Sequence, residues 1–343
     1  MCHVFNHYKG PSMNADSHKK NLLVSVVISF FNEEGSLPEL ISRLRAVFVQ
    51  LPVHYELIFV NDASTDRSLA ILQKMASESA QIKIITMSRR FGVSECVLAG
   101  LKYAKGDAAI YLDADLQDPP ELIPKLIEKW LRGIDVVYTV RQSRDGESLF
   151  KLALTKQAYR FVNFAADIGL PQEAGDYRLI SRRVIDKLLT LEEKNPYLRG
   201  LVSWVGFRQE PVFYRREKRA AGSSHFPLFK NFFRDILTLH GPAGTFLNGV
   251  TSFSTLPLMI FLLTGLLIFG GGVISLLFVL FLCIAQAGPA KEVSLFILLI
   301  TLFGFQFLGI GVLGLYLGKI YDEVRNRPRY IVESTDGIES GRE

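Results

Sequence analysis

Leu-Leu-Val-Ser-Val-Val-Ile-Ser-Phe, residues 22–30, is the stretch of sequence on which the fold depends. Its apolar run is continuous and rich in β-branched residues, which is typical of a strand buried on both faces of a sheet. The next segment, Leu37 to Gln50, instead repeats its apolar residues at helical spacing. A buried strand followed by a helix is the repeating unit of parallel sheets, so we expect this unit to recur.

The same alternation continues along the chain. Further strands are predicted at Tyr55–Val60, Ile82–Met87, Ala108–Leu112 and Asp135–Val140, and helices at Thr65–Ser77, Val93–Tyr103 and Glu121–Arg132. Strict alternation of strands and helices predicts an α/β fold, with a mainly parallel sheet and helices on both of its faces.

Polar residues follow four of these strands directly. They are Asn32-Glu33-Glu34, Asn61-Asp62, Ser88-Arg89-Arg90 and Asp113-Ala114-Asp115. Ligands of such sheets bind beyond the carboxyl ends of the strands. We therefore expect these residues to converge on one site that contains both acidic and basic groups.

Asp113 and Asp115 are the most informative pair, because two carboxylates at the end of an apolar strand do not belong in a core. Spaced by two residues, they can reach one Mg²⁺ or Mn²⁺, which completes its shell with substrate phosphates and water. A nucleoside diphosphate is a natural partner for such a metal. The alternative is a solvated turn, in which Asp118 caps a helix that begins near Pro119.

Two long apolar segments, Leu256–Ile284 and Val293–Leu317, each exceed the roughly 20 residues that span a bilayer. Basic residues precede and follow the pair, which predicts that both ends face the cytoplasm. The formal charge of +5 is concentrated beside these segments, so we expect a lipid membrane and not nucleic acid as the partner. Cys2, Cys96 and Cys283 are too scattered to indicate a disulfide framework or a zinc site.

Several motifs occur in a fixed order along most of the chain. They are Phe31-Asn32-Glu33-Glu34, Val60 to Ser64, Ser88 to Gly92, Asp113 to Pro120, Gly175-Asp176-Tyr177-Arg178-Leu179, Ser252-Phe253-Ser254 and Tyr321 to Tyr330. In this order, the motifs resemble those of family 2 glycosyltransferases with the GT-A fold. More narrowly, the chain resembles the polyprenyl-phosphate glycosyltransferases.

The resemblance implies a role for each residue of the predicted site. Glu33, Asp62 and Arg89 would bind the nucleotide sugar, with the two carboxylates on uracil and ribose. From the residues alone, the alternative for Glu33 is an acidic residue that leads a helix, and the alternative for Asp62 is an Asx turn.

Asp113, Asp115 and Gln117 would hold the metal and the diphosphate, and Asp115 would act with Asp176 in catalysis. The family places Asp176 beside the transferred sugar. A lipid phosphate is already ionised near neutral pH, so Asp176 would orient the acceptor more than deprotonate it.

A basic loop ahead of an amphipathic segment, Pro227 to Leu239, is the predicted acceptor site. The residues that would bind the lipid phosphate are Arg216, Arg219, Ser224 and His225. Plain positive charge beside a membrane is the alternative for the basic residues of this loop.

These inferences divide the chain into five parts. They are a disordered tail (1–20), a GT-A catalytic domain (21–226), amphipathic interface helices (227–251), a hairpin of two transmembrane helices (252–318) and a cytoplasmic C-terminal tail (319–343). We expect a multi-pass protein of the inner (plasma) membrane, with its catalytic domain and both termini in the cytoplasm. Gly314 and Gly318 have a spacing that supports a homo-oligomer, possible as a tetramer.

The expected reaction is transfer of a hexose, first of all glucose, from a UDP-sugar to undecaprenyl phosphate with inversion. The same acceptor with a modified donor, such as UDP-formamido-arabinose, is an alternative that the sequence leaves open. A membrane protein that binds nucleotide sugars without turnover is another.

Overall fold

A computed structural model of the chain describes residues 22–141, 174–194, 196–214, 264 and 291–338. The predicted N-terminal tail, the predicted interface helices and the predicted acceptor loop lie outside these ranges. The proposed domain boundaries at 226 and 251 also fall outside them and stay predictions.

The described strands are β1 (Leu23–Phe30), β2 (His54–Asn61), β3 (Ile82–Met87), β4 (Ala108–Asp113), β5 (Val136–Arg141), β6 (Ala174–Ser181), β7 (Gln209–Tyr214) and β8 (Val332–Asp336). The described helices are α1 (Leu37–Val49), α2 (Ser68–Ser77), α3 (Val93–Tyr103), α4 (Ile123–Leu131), α5 (Arg182–Leu189), α6 (Leu198–Trp204) and α7 (Lys291–Val324). A single 3-10 turn, Pro120–Leu122, leads into α4.

The strands form one sheet in the order β7-β5-β6-β4-β1-β2-β3-β8. The four central strands β4, β1, β2 and β3 are parallel, and β5 and β7 run in the same direction. Strands β6 and β8 run the opposite way. The prediction of an α/β fold with a mainly parallel sheet is confirmed.

The element bounds follow the apolar pattern closely, with one informative difference. Helix α2 begins at Ser68, three residues after the predicted start at Thr65. The N–H groups of Thr65 and Asp66 instead donate to the side-chain oxygen of Asn32, at 2.8 and 3.3 Å. A tertiary contact thus replaces the first turn of the helix.

A hydrophobic core lies on each face of the sheet. One core contains Leu37, Leu40, Ile41 and Leu44 of α1 with Leu126 of α4, and all of these are buried. The other core contains residues of α3, α5 and α6. Each fully buried Leu or Ile contributes about 1.5–3 kcal/mol relative to an exposed one, so both layers hold the sheet rigid.

Helix α3 packs unusually close to the sheet at Gly100. A Cβ atom at this position would lie 2.3 Å from Cγ1 of Val27 on β1. No larger residue fits there without displacing the helix. The contact fixes where the amino end of α3 meets the carboxyl ends of the strands.

Strand β8 was missed by the sequence reasoning, which predicted only a C-terminal tail from residue 319. Val332–Asp336 pairs antiparallel with β3, and Ser88 N–H donates to Ile331 O at 3.0 Å. Tyr330 and Val332 pack against the core that contains α3. The segment after α7 is therefore part of the sheet, next to the predicted nucleotide site.

Helix α7 is continuous over Lys291–Val324 and covers the second predicted membrane segment. Within the described residues, no helix meets the combined length and apolarity needed to cross a membrane. Apart from Thr264, the first predicted segment lies outside them. The predicted pair of transmembrane helices rested on apolar sequence alone, and the structure does not support it.

Candidate active site

The register of two neighbouring strands builds the centre of the site. Strands β4 and β6 are antiparallel, and Tyr111 lies opposite Arg178. Alternate residues of a strand share a face, so the next pair on this face is Asp113 and Asp176. Two predicted site residues that are far apart in sequence thus end at the same edge of the sheet.

Asp113 lies in a strongly acidic environment. The pKa of its carboxyl group is raised to about 7, mainly by burial and also by the neighbouring charges of Asp176, Asp115 and Asp118. Ser29 Oγ donates to Asp113 Oδ1 at 3.3 Å and opposes this shift. A group in this position favours binding a proton or a cation.

The turn after β4 places Asp115 close enough to Asp113 for its charge to act on that carboxyl group. Leu116 is buried and has a φ of 59°, which turns the chain sharply. The backbone N–H of Gln117 then donates to Asp115 Oδ1 at 3.1 Å. The turn is thus ordered by the carboxylate that was predicted to bind metal, while the role of the Gln117 side chain stays a prediction.

Asp118 contacts a distant strand from its position two residues before the 3-10 turn. The residue before the 3-10 turn is Pro119, and it makes no side-chain cap. Asp118 is buried and accepts a hydrogen bond from the hydroxyl group of Tyr214 on β7. The buried carboxylate therefore ties the turn to a distant strand.

The donor set fits a divalent metal that is shared with a substrate. In the part of the chain that the structure describes, no three His, Cys, Asp or Glu residues are grouped to hold a metal ion by themselves. Mg²⁺ and Mn²⁺ commonly take one or two carboxylates and complete their shell with phosphate oxygens and water. Asp113 and Asp115 meet that requirement, and the raised pKa of Asp113 shows that positive charge is favoured there.

Asp176 forms an ion pair that the sequence reasoning missed. Nε and one terminal nitrogen of Arg199, on α6, donate to the two oxygens of its carboxylate. No local spacing signals this pair, because the partners belong to different elements. Asp176 is therefore not an isolated turn aspartate but part of a charged cluster.

Arg178 lies on the same strand face as Asp176. It is almost fully buried, its Nε donates to Gly175 O at 3.3 Å, and its Nη1 finds no hydrogen-bond partner among the described residues. The hydroxyl group of Tyr111, opposite Arg178, is also buried, and the part of the chain that the structure describes offers it no partner. A second positive charge thus sits beneath the acidic residues.

Two loops on the other side of the site are joined through Asn32. This residue has a φ of 56°, and its N–H donates to Ser64 Oγ at 3.1 Å. Together with the bonds to Thr65 and Asp66, this contact links the loop after β1 to the loop after β2. Glu33 follows directly, and its N–H donates to Ser68 Oγ at 2.9 Å while Oε2 accepts from Ser36 Oγ at 2.9 Å.

Asp62 orders the third loop of the site. Its carboxylate is buried and accepts the N–H groups of Phe91 at 2.7 Å and Gly92 at 3.1 Å. Gly92 has a φ of 116°, a conformation that glycine adopts most readily. Asp62 is thus at the predicted place, and it also fixes the shape of the loop that carries Arg89.

Arg89 and Arg90 stand on the exposed side of this loop. Arg89 lies 4.0 Å over the ring of Phe91, and Arg90 lies 4.1 Å over the ring of Phe31. Glu95 of α3 faces the same loop and was missed by the sequence reasoning. The pKa of Glu95 is raised to about 7, mainly by burial and also by the charge of Asp62, while Arg329 and Arg89 oppose the shift.

The structure thus brings the predicted carboxylates Glu33, Asp62, Asp113 and Asp115 to the carboxyl ends of parallel strands. Asp176, near the amino end of the antiparallel strand β6, lies at the same edge of the sheet. The predicted acceptor residues Arg216, Arg219, Ser224 and His225 lie outside the described residues. Their role stays a prediction.

A mainly parallel α/β sheet with an acidic site at the strand ends is typical of nucleotide-binding α/β proteins. Comparisons with known proteins identify the family within this class. The profile of Glycosyl transferase family 2 matches residues 25–189. Uncharacterized glycosyltransferase YkcC of Bacillus subtilis (strain 168) is 42% identical over 94% of this chain and 97% of its own length. SfII prophage-derived bactoprenol glucosyl transferase of Shigella flexneri is 34% identical over 91% of this chain and 98% of its own length.

The chain belongs to glycosyltransferase family 2 and is an enzyme. Among solved structures, glucosyl-3-phosphoglycerate synthase from Mycobacterium tuberculosis with UDP aligns over 67% of this chain and 80% of its own, with a TM-score of 0.45 and 19% identity. That likeness is too distant to carry an argument about substrate or metal.

Proposed function

We propose that the enzyme transfers a hexose, with glucose the first candidate, from a UDP-sugar to a polyprenyl phosphate such as undecaprenyl phosphate. The observation that carries this proposal is the match to relatives named bactoprenol glucosyl transferases over nearly their whole length. The acidic cluster at the strand ends supports it, because a sugar diphosphate needs a shared metal at its leaving group.

The donor would lie across the strand ends. Asp113 and Asp115, with Gln117, would hold Mg²⁺ or Mn²⁺ against the diphosphate, where the metal neutralises charge on the leaving group. Glu33 and Asp62 would accept hydrogen bonds from the uracil and the ribose. The loops that carry them are fixed by side-chain to backbone bonds, so they are ordered before the donor arrives.

The reaction would be a single displacement at the anomeric carbon. A phosphate oxygen of the acceptor forms the new bond to this carbon, and the bond to the diphosphate breaks with its electron pair. The acceptor oxygen is already ionised near neutral pH, so no proton has to be removed. Asp176 would orient the reacting groups, and the attack from the opposite face gives inversion.

The lipid acceptor places the reaction at a membrane. We propose the cytoplasmic face of the plasma membrane, with both termini on that side. The apolar sequence at 256–284 and 293–317 and its basic flanks support this location. A homo-oligomer is proposed on the weaker ground of the Gly314 and Gly318 spacing.

Radiolabel transfer tests the whole proposal. Membranes that contain the protein are supplied with undecaprenyl phosphate, Mg²⁺ or Mn²⁺, and one labelled donor at a time, including UDP-glucose and UDP-formamido-arabinose. We expect label from UDP-glucose in the lipid fraction, none with EDTA, and an inverted anomeric configuration in the product. If only another donor labels the lipid, its sugar replaces glucose in the proposal. If no donor labels the lipid, the proposed lipid acceptor is wrong.

A further inference from the structure

The ion pair of Asp176 and Arg199 lies at the mouth of the site and not in the core. The side chain of Arg199 is 28% exposed and that of Asp176 is 38% exposed. Ion pairs at such positions add little to stability, because water competes with both partners. The pair is therefore open to exchange with a charged ligand.

The acidic residues create a problem for an anionic acceptor. Asp113, Asp115 and Asp176 gather negative charge at the place where an ionised phosphate has to approach. Burial raises the pKa of the nearby Tyr111 to about 12, and the positive charges of Arg178 and Arg199 oppose that shift. Both arginines thus act on this region, but Arg178 is almost fully buried, so a ligand would reach Arg199.

Arginine binds phosphate with the same planar fork that it offers to a carboxylate. A phosphate oxygen pair can therefore take the place of the Asp176 carboxylate on Arg199. Asp176 would keep a cation beside it during this exchange, because Arg178 lies on the same strand face and its Nη1 has no partner within the described ranges. The exchange then leaves neither charge without a counter-charge.

We propose that Arg199 binds the ionised phosphate of the acceptor and exchanges its partner from Asp176 to that phosphate when the acceptor arrives. The inference rests on the proposed function and adds a residue to it. The phosphate then stands between Arg199 and the anomeric carbon, and its free oxygen attacks as described above. The released Asp176 carboxylate faces the transferred sugar.

Steady-state kinetics of the full chain in detergent test this exchange, with Arg199→Met, Arg199→Lys and a matched control. The control is Arg183→Met, which breaks a similar two-pronged pair with Asp135 away from the site. We expect Arg199→Met to raise the acceptor KM about tenfold to a hundredfold and to leave the donor KM within about twofold. Arg199→Lys should recover part of the loss, and Arg183→Met should change neither KM.

Titration calorimetry with undecaprenyl phosphate in micelles, and separately with inorganic phosphate, measures binding without turnover. Weaker binding of the lipid phosphate to Arg199→Met, with the thermal midpoint unchanged, supports the proposal. A fall in kcat alone would make Arg199 only a positioning residue for Asp176, and a rise in the donor KM would assign it to the diphosphate; either result overturns the proposal. If the wild type binds the lipid phosphate but transfers no sugar to it, the proposed function fails separately.

Discussion

The two halves of the sheet hold their loops by different means. In the first half, β1 to β4, the loops are joined by side chains that bond to backbone groups, as Asn32 and Asp62 do. In the second half, β5 to β7 with α5 and α6, opposite charges make the links. These pairs are Asp176 with Arg199, Asp135 with Arg183, and Glu210 with Lys129.

The difference separates fixed parts from exchangeable ones. A backbone N–H group stays where the chain holds it, so the donor loops keep one shape. A charged pair near the surface can accept a charged ligand in place of one partner. Asp135 is only 4% exposed and so its pair is structural, whereas Asp176 stands open at the strand ends.

The largest effect is expected where the two halves meet, at Asp115. Asp115→Asn removes a charge from the metal and diphosphate site, and we expect kcat to fall at least about a thousandfold, or ~4 kcal/mol of transition-state stabilisation. The expression level and thermal midpoint should stay close to wild type, because Asp115 is not in the core. Radiolabel transfer from the donor into lipid measures the loss.

Asp107→Asn is the matched control, because Asp107 lies at the opposite end of the same strand and accepts Leu23 N–H at 2.9 Å. This variant should lower stability slightly and keep nearly full turnover. Retained turnover in Asp115→Asn would mean that the strand-end carboxylates do not hold a metal.

The sequence was sufficient to predict the first half, because each of its strands is a continuous apolar run and each site residue follows a strand directly. Glu33, Asp62 and Asp113 were placed at strand ends in this way, and their binding roles stay predictions. The second half depends on pairings that no local pattern contains. Arg199 meets Asp176 only through the antiparallel register of β6 and the packing of α6. Strand β8 was missed for the same reason, because its partner β3 lies far away in the chain.

The next largest effect is expected when the hydroxyl group of Tyr214, in the second half of the sheet, is removed. Tyr214→Phe removes the donor to the buried carboxylate of Asp118, which should cost about 1.5–3 kcal/mol of unfolding free energy. Turnover should fall by less than about threefold, since Asp118 is not among the residues proposed to bind the donor or the metal. Denaturant unfolding and the transfer assay measure the two quantities.

Tyr177→Phe is the matched control for this hydroxyl group. Tyr177 is equally buried, but its hydroxyl group has no hydrogen-bond partner in the described structure. Removing the hydroxyl group of Tyr177 should leave the free energy of unfolding unchanged or raise it slightly. Equal losses in both variants would show that packing, and not the bond to Asp118, is measured.

A smaller effect is expected for a loop of the first half. Asp62→Asn leaves Phe91 N–H or Gly92 N–H without its charged acceptor, so the Arg89 loop loses its fixed shape. We expect the donor KM to rise about tenfold and the acceptor KM to change little. Asp66→Asn is the control, because it removes the same charge from a neighbouring turn. Expressed as free energy, its effect on the donor KM should be less than half of that of Asp62→Asn. A rise in the acceptor KM instead would contradict the division into two halves.

The smallest effect concerns pH and Glu95, whose pKa rises from about 4.5 to about 7 on folding, because it is buried beside Asp62. Between these two values the folded chain binds more protons than the unfolded one, so stability is highest below the window and falls as the pH rises through it. We expect Glu95 to cost about 1–2 kcal/mol at pH 8, less than the full shift implies because its carboxyl group is partly solvated. Glu95→Gln should remove this loss, so the free energies of unfolding of the two proteins, measured with EDTA, should differ more at pH 8 than at pH 5. A constant difference across that range would mean that the Glu95 carboxyl group is as solvated in the folded chain as in the unfolded one.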